Sequence, residues 1–244
     1  MKLEINVPDS LSEITLGQYQ KFVKLYSGEV TEEFLALKML EIFCGVKLSE
    51  AYQMRFKDVD GVVELLTTIL NEKPQLVQRF KLGDVEYGFI PNLDDMSFGE
   101  YVDLDTYIGD WQNIHRAMAV LYRPIKDKHG ERYNLVPYEV VDAEVYKNMP
   151  LDAAISSVLF FLSFRDRLIE SYDELFGGGQ GESFGAVSQF GQKWGWYQSI
   201  YALAQGDIRR FEHITQLKVH ECLMMLTFMK EKNNLEAKQI KGKL

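Results

Sequence analysis

Residues 78–91 read Gln78-Arg79-Phe80-Lys81-Leu82-Gly83-Asp84-Val85-Glu86-Tyr87-Gly88-Phe89-Ile90-Pro91, and here the apolar period becomes two. Phe80 and Leu82 alternate with polar residues before Gly83-Asp84, and Val85, Tyr87 and Phe89 do so after it. Alternation on both sides of a glycine-containing pair predicts a β-hairpin, because successive strand residues face opposite sides of a sheet. Gly83 at the first turn position suits a two-residue turn of the II′ kind, which requires a positive φ there.

Upstream of the hairpin the apolar residues recur at helical spacing. Thr15 followed by Gln18 forms a capping box for a helix through Phe22, Leu25 and Tyr26 that Gly28 ends. Thr31 caps a second helix, whose Phe34, Leu35, Leu37, Met39, Leu40, Ile42 and Phe43 cover more than one side, and Gly45 stops it. Ser49 starts a short helix through Tyr52 and Phe56. Val62, Val63, Leu65, Leu66, Ile69 and Leu70 form another that ends before Pro74. The first nine residues, with Leu3, Ile5 and Val7 alternating before Pro8, predict a strand or pairing arm.

Downstream, Ser97 and Glu100 make a capping box for a helix over Phe98 to Tyr107, and Trp111 to Tyr122 predicts a further helix closed by Arg123-Pro124. Lys126 to Gly130 reads as a polar loop and Tyr133 to Pro137 as a short extended segment. Pro150 opens a long helix from Leu151 to about Tyr172. The Gly177-Gly178-Gly179-Gln180-Gly181 tract breaks the chain, since glycine sustains a helix only at an entropic cost. Beyond it, Phe184 to Ala204 and about Lys218 to Ala237 read as helices. The expected fold is therefore mainly α, a multi-helix bundle with one small β-hairpin and short extended segments. Its expected lobes are 1–175, with the hairpin near 78–91, and 182–244, joined by a Gly-rich hinge at 177–181.

Composition narrows the function. The 244 residues are 46% hydrophobic and 26% charged, as in soluble globular proteins, and their net charge of −9 argues against neutralising nucleic-acid phosphates. The most apolar run, Ala153 to Phe164, is shorter than the roughly 18–20 residues that span a bilayer and contains three serines, so it reads as a buried helix. MKLEINVPDS lacks the apolar core of a signal peptide, and Cys44 and Cys222 both sit in apolar surroundings that suit buried thiols.

No catalytic, cofactor or metal signature emerges. Asp103 and Asp105 occupy the first and third places of a calcium loop, but Gly109 is one position late and Ile114 stands where a bidentate Glu is required. Asp94, Asp95, Glu100, Asp103, Asp105 and Asp110 instead read as helix-start carboxylates on a face suited to a basic partner. His220-Glu221-Cys222 has no histidine four residues on, so it lacks the geometry of a zinc helix. The glycine tract has no Lys-Ser/Thr pair for a phosphate.

Two aromatic and sulfur-rich stretches are the candidates for protein binding. Trp194, Trp196, Tyr197 and Tyr201 crowd two helical turns, and Met224, Met225 and Met229 lie among the apolar residues of the last helix. Trp and Tyr dominate interaction hot spots, and methionine adapts to varied apolar surfaces. Such density is usually core, and the partner-binding surface is the alternative reading for both stretches. After Phe228 the chain turns basic, with five lysines against Glu231 and Glu236, which reads as a solvated helix end.

Short phrases spread over about 90–240 resemble mostly helical virion and tail-morphogenesis proteins of tailed bacteriophages. They are Ile90-Pro91-Asn92-Leu93-Asp94-Asp95-Met96-Ser97-Phe98-Gly99-Glu100-Tyr101-Val102-Asp103-Leu104-Asp105, then Met118 to Ile125, then Val136-Pro137-Tyr138. Lys193-Trp194-Gly195-Trp196-Tyr197 followed by Leu203 to Ile208 is similar to the C-terminal part of tail assembly chaperones. The resemblance implies a non-enzymatic protein without cofactor, acting in the host cytoplasm on other phage proteins. Tape-measure or tube subunits are the implied partners of a chaperone. Portal or neck proteins are the implied partners of a permanent head–tail ring, which would remain in the virion and form a homo-oligomer. An enzyme is the third reading.

Overall fold

The computed structural model describes residues 4–26, 28, 30–130, 132–139, 142–176 and 193–241. They fold into helices and one four-stranded antiparallel sheet. Two compact units result, interleaved along the sequence: Met1–Ile90 with Tyr107–Phe160, and Pro91–Thr106 with Phe161–Leu244. This differs from a division at the glycine tract, and the expected hinge at 177–181 lies outside the described residues.

The first unit opens with α1 (Leu16–Tyr26), α2 (Glu32–Cys44), the single turn α3 (Leu48–Ala51) and α4 (Phe56–Leu70). The Thr15 backbone N–H donates to Gln18 Oε1 at 2.8 Å while Gln18 N–H donates to Thr15 Oγ1 at 3.2 Å, so the capping box forms reciprocally. Thr31 Oγ1 accepts from Phe34 N–H at the start of α2. Leu37, Leu40, Val46, Ala51 and Val59 then pack as one buried cluster. The expected pairing arm lies elsewhere: residues 4–8 form no strand, whereas Ile14 and Leu16 bond to Leu151 and Met149 around a bridge from Thr15 to Pro150.

The single hairpin is a correction. The hairpin exists as β1 (Arg79–Leu82) and β2 (Val85–Phe89), with Phe80 opposite Tyr87 and Gly83 at φ +58°. It is half of a larger sheet. After α5 (Phe98–Tyr107) and α6 (Ile114–Leu121), the chain enters β3 (Tyr122–His129) and returns as β4 (Arg132–Leu135), giving the order β1-β2-β3-β4. Phe89 lies opposite Tyr122, Tyr87 opposite Pro124 and His129 opposite Arg132, with a register shift between Ile125 and Asp127. The helix ends at Leu121 with Tyr122 as its C-cap, close to the expected end, and Tyr122 at once opens β3; Lys126 to His129 are strand where a polar loop is expected.

The sheet's inner face is aromatic. Phe80, Tyr87, Phe89, Tyr122 and Tyr146 are all buried; the Phe80 ring stacks on Tyr87 and meets Tyr122 edge-on at 5.0 Å. Two of the hydroxyls are satisfied by backbone: Tyr122 donates to the Val77 carbonyl and Tyr146 to the Tyr122 carbonyl at 2.7 Å. Deeper among the helices, Gln20 Nε2 sits 2.8 Å from the Trp111 carbonyl and 3.0 Å from Nδ1 of the buried His115.

In the second unit, Ser97 and Glu100 cap α5 as expected, with Ser97 N–H donating to Glu100 Oε2 at 2.7 Å. The other elements are the end of α7 (Leu151–Ser171), the short α8 (Asp173–Phe176), α9 (Tyr197–Leu203), α10 (Phe211–Gln216) and α11 (Val219–Lys241). Of the helix expected over Phe184 to Ala204, the part before 193 lies outside the described residues. Phe98 N–H donates to the Leu217 carbonyl at 2.7 Å and Val219 N–H to Met96 at 3.1 Å, tying the start of α5 to the start of α11. Buried Phe98, Tyr101, Leu104, Phe161, Val219, Leu223 and Leu226 supply this unit's core.

Candidate partner-binding groove

The acidic stretch before and within α5 finds partners inside its own unit. Asp95 pairs with Lys218 at 2.7 Å, and this pairing, with the Asn92 amide, holds its carboxyl below the usual range. Asp94 accepts from His220 at 3.1 Å, while the other ring nitrogen of His220 lies 3.0 Å from the Tyr172 hydroxyl. Asp105 accepts the indole N–H of Trp196 at 2.9 Å, and Arg165 stands 3.5 Å from its other oxygen. Three of the carboxylates expected to face a basic partner are thus engaged with side chains from the 161–241 portion. Asp110 belongs to the first unit and accepts from Gln112 N–H and the Asn113 amide.

The Asp105–Trp196 bond sets the geometry of a groove. Trp196 is half-buried, and its ring meets Phe98, Tyr101 and Phe176 at 5.7, 5.4 and 6.3 Å in edge-on contacts. With Trp196 anchored, the neighbouring residues point outward: Trp194 is 41% and Tyr197 46% exposed, their rings 5.5 Å apart. Tyr197 is steadied by an edge-on contact with Phe211, and the Lys193 ammonium lies over the Trp194 ring at 5.3 Å. Beside these rings lies an open groove of about 690 Å³, lined also by Val102, Asp105, Thr106, Leu175, Phe176 and Leu226.

The expected binding residues therefore separate. Trp194, Trp196 and Tyr197 line the groove; Tyr201, Met224, Met225 and Met229 do not. Tyr201 is exposed beside Gly206, Met224 and Met225 are exposed on α11, and Met229 is half-buried. The sequence reading missed Val102, Leu175, Phe176 and Leu226. Leu226 carried a signal: it lies three and four residues from Leu223 and Cys222, on the buried side of α11. Nothing in the sequence brings Val102 or Phe176 to the same place.

The groove has the makings of recognition, and neither cysteine is activated as a thiolate. Burial pushes the Cys222 thiol up to about 11, and Cys44 likewise, so both stay protonated at neutral pH. Burial also raises the Tyr101 phenol, beside Asp105. Among the described residues no three His, Cys, Asp or Glu side chains converge as a metal site, and no helix is long and apolar enough to cross a membrane. Comparison with protein-family models, curated proteins and solved structures finds no match.

Proposed function

We propose that the chain is a non-enzymatic assembly protein of a tailed bacteriophage, most closely a tail assembly chaperone that covers apolar helical faces of tail proteins until tube subunits displace it. The observation that supports protein binding is the open groove of about 690 Å³ with Trp194 and Tyr197 exposed at its rim. A helix laid along such a groove buries apolar side chains at i, i+3/i+4 and i+7, and Trp and Tyr are among the residues that most often carry the binding energy of protein interfaces. The phage assignment rests on the resemblance of the Ile90–Asp105 and Lys193–Tyr197 phrases.

Quantitative mass spectrometry of purified phage particles beside the infected-cell lysate tests it. Abundance in the lysate with absence from particles is the expected result. Stoichiometric presence in particles, at a ring-like multiple, would make the chain a permanent connector and end the chaperone reading.

A further inference from the structure

The last helix carries a second apolar surface, on the side away from the core. At 100° per residue, the buried Val219, Cys222, Leu223 and Leu226 face one direction, and Met224, Phe228 and Leu235 fall together on the opposite side. These three are 66%, 56% and 57% exposed. From Glu231 to Ile240 every residue of α11 is exposed, and beyond the contact of Glu231 with Glu174 this stretch of helix has no buried side among the described residues. Isolated helices of such length are marginal in water, which makes a tertiary partner the natural source of its stability.

The charges flanking the stripe say what that partner is. Glu221, Met224, Phe228, Glu231, Leu235 and Lys238 succeed one another at alternating steps of three and four, the spacing of a helix-pairing seam. A second copy aligned in parallel would set Glu221 against Glu221 and Lys238 against Lys238, which is repulsive. Run antiparallel, the same seam sets Glu221 against Lys238 of the other copy and Met224 against Leu235, each twice by symmetry, over about 26 Å of helix. Only the middle layers, Phe228 against Glu231, mix apolar with charged, and they keep the association weak.

We infer that α11 is a homodimerisation helix, pairing antiparallel with α11 of a second copy through Met224, Phe228 and Leu235, with Glu221–Lys238 pairs at both ends. The inference does not depend on the chaperone reading, since it concerns the purified chain alone.

Analytical ultracentrifugation of the full chain at low salt, from about 5 to about 500 μM, tests it. A concentration-dependent monomer–dimer equilibrium is expected, abolished by Leu235→Glu. Glu221→Lys weakens the dimer about tenfold by turning two attractions into repulsions, and adding Lys238→Glu restores it. Glu231→Leu, which makes the middle layers apolar, tightens it at least tenfold. A chain monomeric across the whole range overturns the inference and leaves the stripe to a different protein. A dimer indifferent to Leu235→Glu or to the charge exchange also overturns it, because the contact then lies elsewhere.

Discussion

The indole N–H of Trp196 donates to the Asp105 carboxylate at 2.9 Å, joining residues 91 positions apart that both line the groove. A hydrogen bond to a charged acceptor contributes more than a neutral one, on the order of 1.5–3 kcal/mol. Trp196→Phe keeps the edge-on ring contacts and removes the bond. It is expected to cost about 1.5 kcal/mol in urea unfolding, and Asp105→Ala on that background to cost less than in the wild type. Additive losses would show that the two groups do not interact energetically.

Trp194 and Tyr197 face solvent, so their removal separates binding from folding. Trp194→Ala with Tyr197→Ala also removes the ring contact with Phe211, so it is expected to cost about 1–2 kcal/mol while the chain stays folded, and to weaken capture of a helical tape-measure fragment at least tenfold. A titration calorimeter reads the second quantity. Undiminished affinity in a folded double variant would move the binding surface away from the groove.

His115 makes stability depend on pH. Burial first, and Lys147 next, lower its pKa, while Glu144 opposes them; the Gln20 amide facing Nδ1 also leaves no acceptor for a second ring proton. The unfolded chain takes up a proton below about pH 6.5 where the folded one resists, so this contribution is complete above that pH and declines as pH falls through the window beneath it. The urea midpoint is expected to drop between about pH 7.5 and about pH 5.5, above the carboxylate range, and to drop less in His115→Gln. Equal drops in both proteins would exclude His115 as the source.

Gly88 lies beneath the Tyr133 ring within the sheet. A Cβ there would stand 2.5 Å from Tyr133 Cε2 and 3.1 Å from Ile125 Cγ1, and the Tyr133 hydroxyl is fixed by donating to the Phe89 carbonyl at 2.8 Å. Gly88→Ala is expected to destabilise by about 2 kcal/mol, as overpacking does. Combined with Tyr133→Ala, it should cost less than the two changes summed. Thermal unfolding of the four proteins measures the coupling.

Where local chemistry decides structure, the sequence was readable. Both capping boxes, the Thr31 cap, the Gly83 turn and the start of α7 after Pro150 follow from residues within four positions of one another. The second half of the sheet was not. Tyr122 to His129 carries Arg123, Pro124, Lys126, Asp127 and Lys128, without the alternation that marks a half-buried strand, and Pro124 signals a break. Its pairing is fixed by neighbours far away, Phe89 opposite Tyr122 and Leu135 opposite Ile125. The groove divides in the same way: the aromatic cluster at Trp194 to Tyr197 was visible, while the rest of its lining required Val102, Phe176 and Leu226 to converge from three helices.

The interleaving of the two units bears on how the chain is made. Asp95 meets Lys218, 123 residues later, and Phe98 meets Leu217. At roughly 5–20 residues per second, a ribosome needs on the order of ten seconds to deliver the second member of each pair. Through that interval the first unit receives all of its own residues up to Phe160, while Met96 and Phe98, buried in the finished protein, wait without their cover. Met96 and Phe98 are thus synthesised well before the residues that bond to them, and translation halted before residue 217 leaves those contacts unmade.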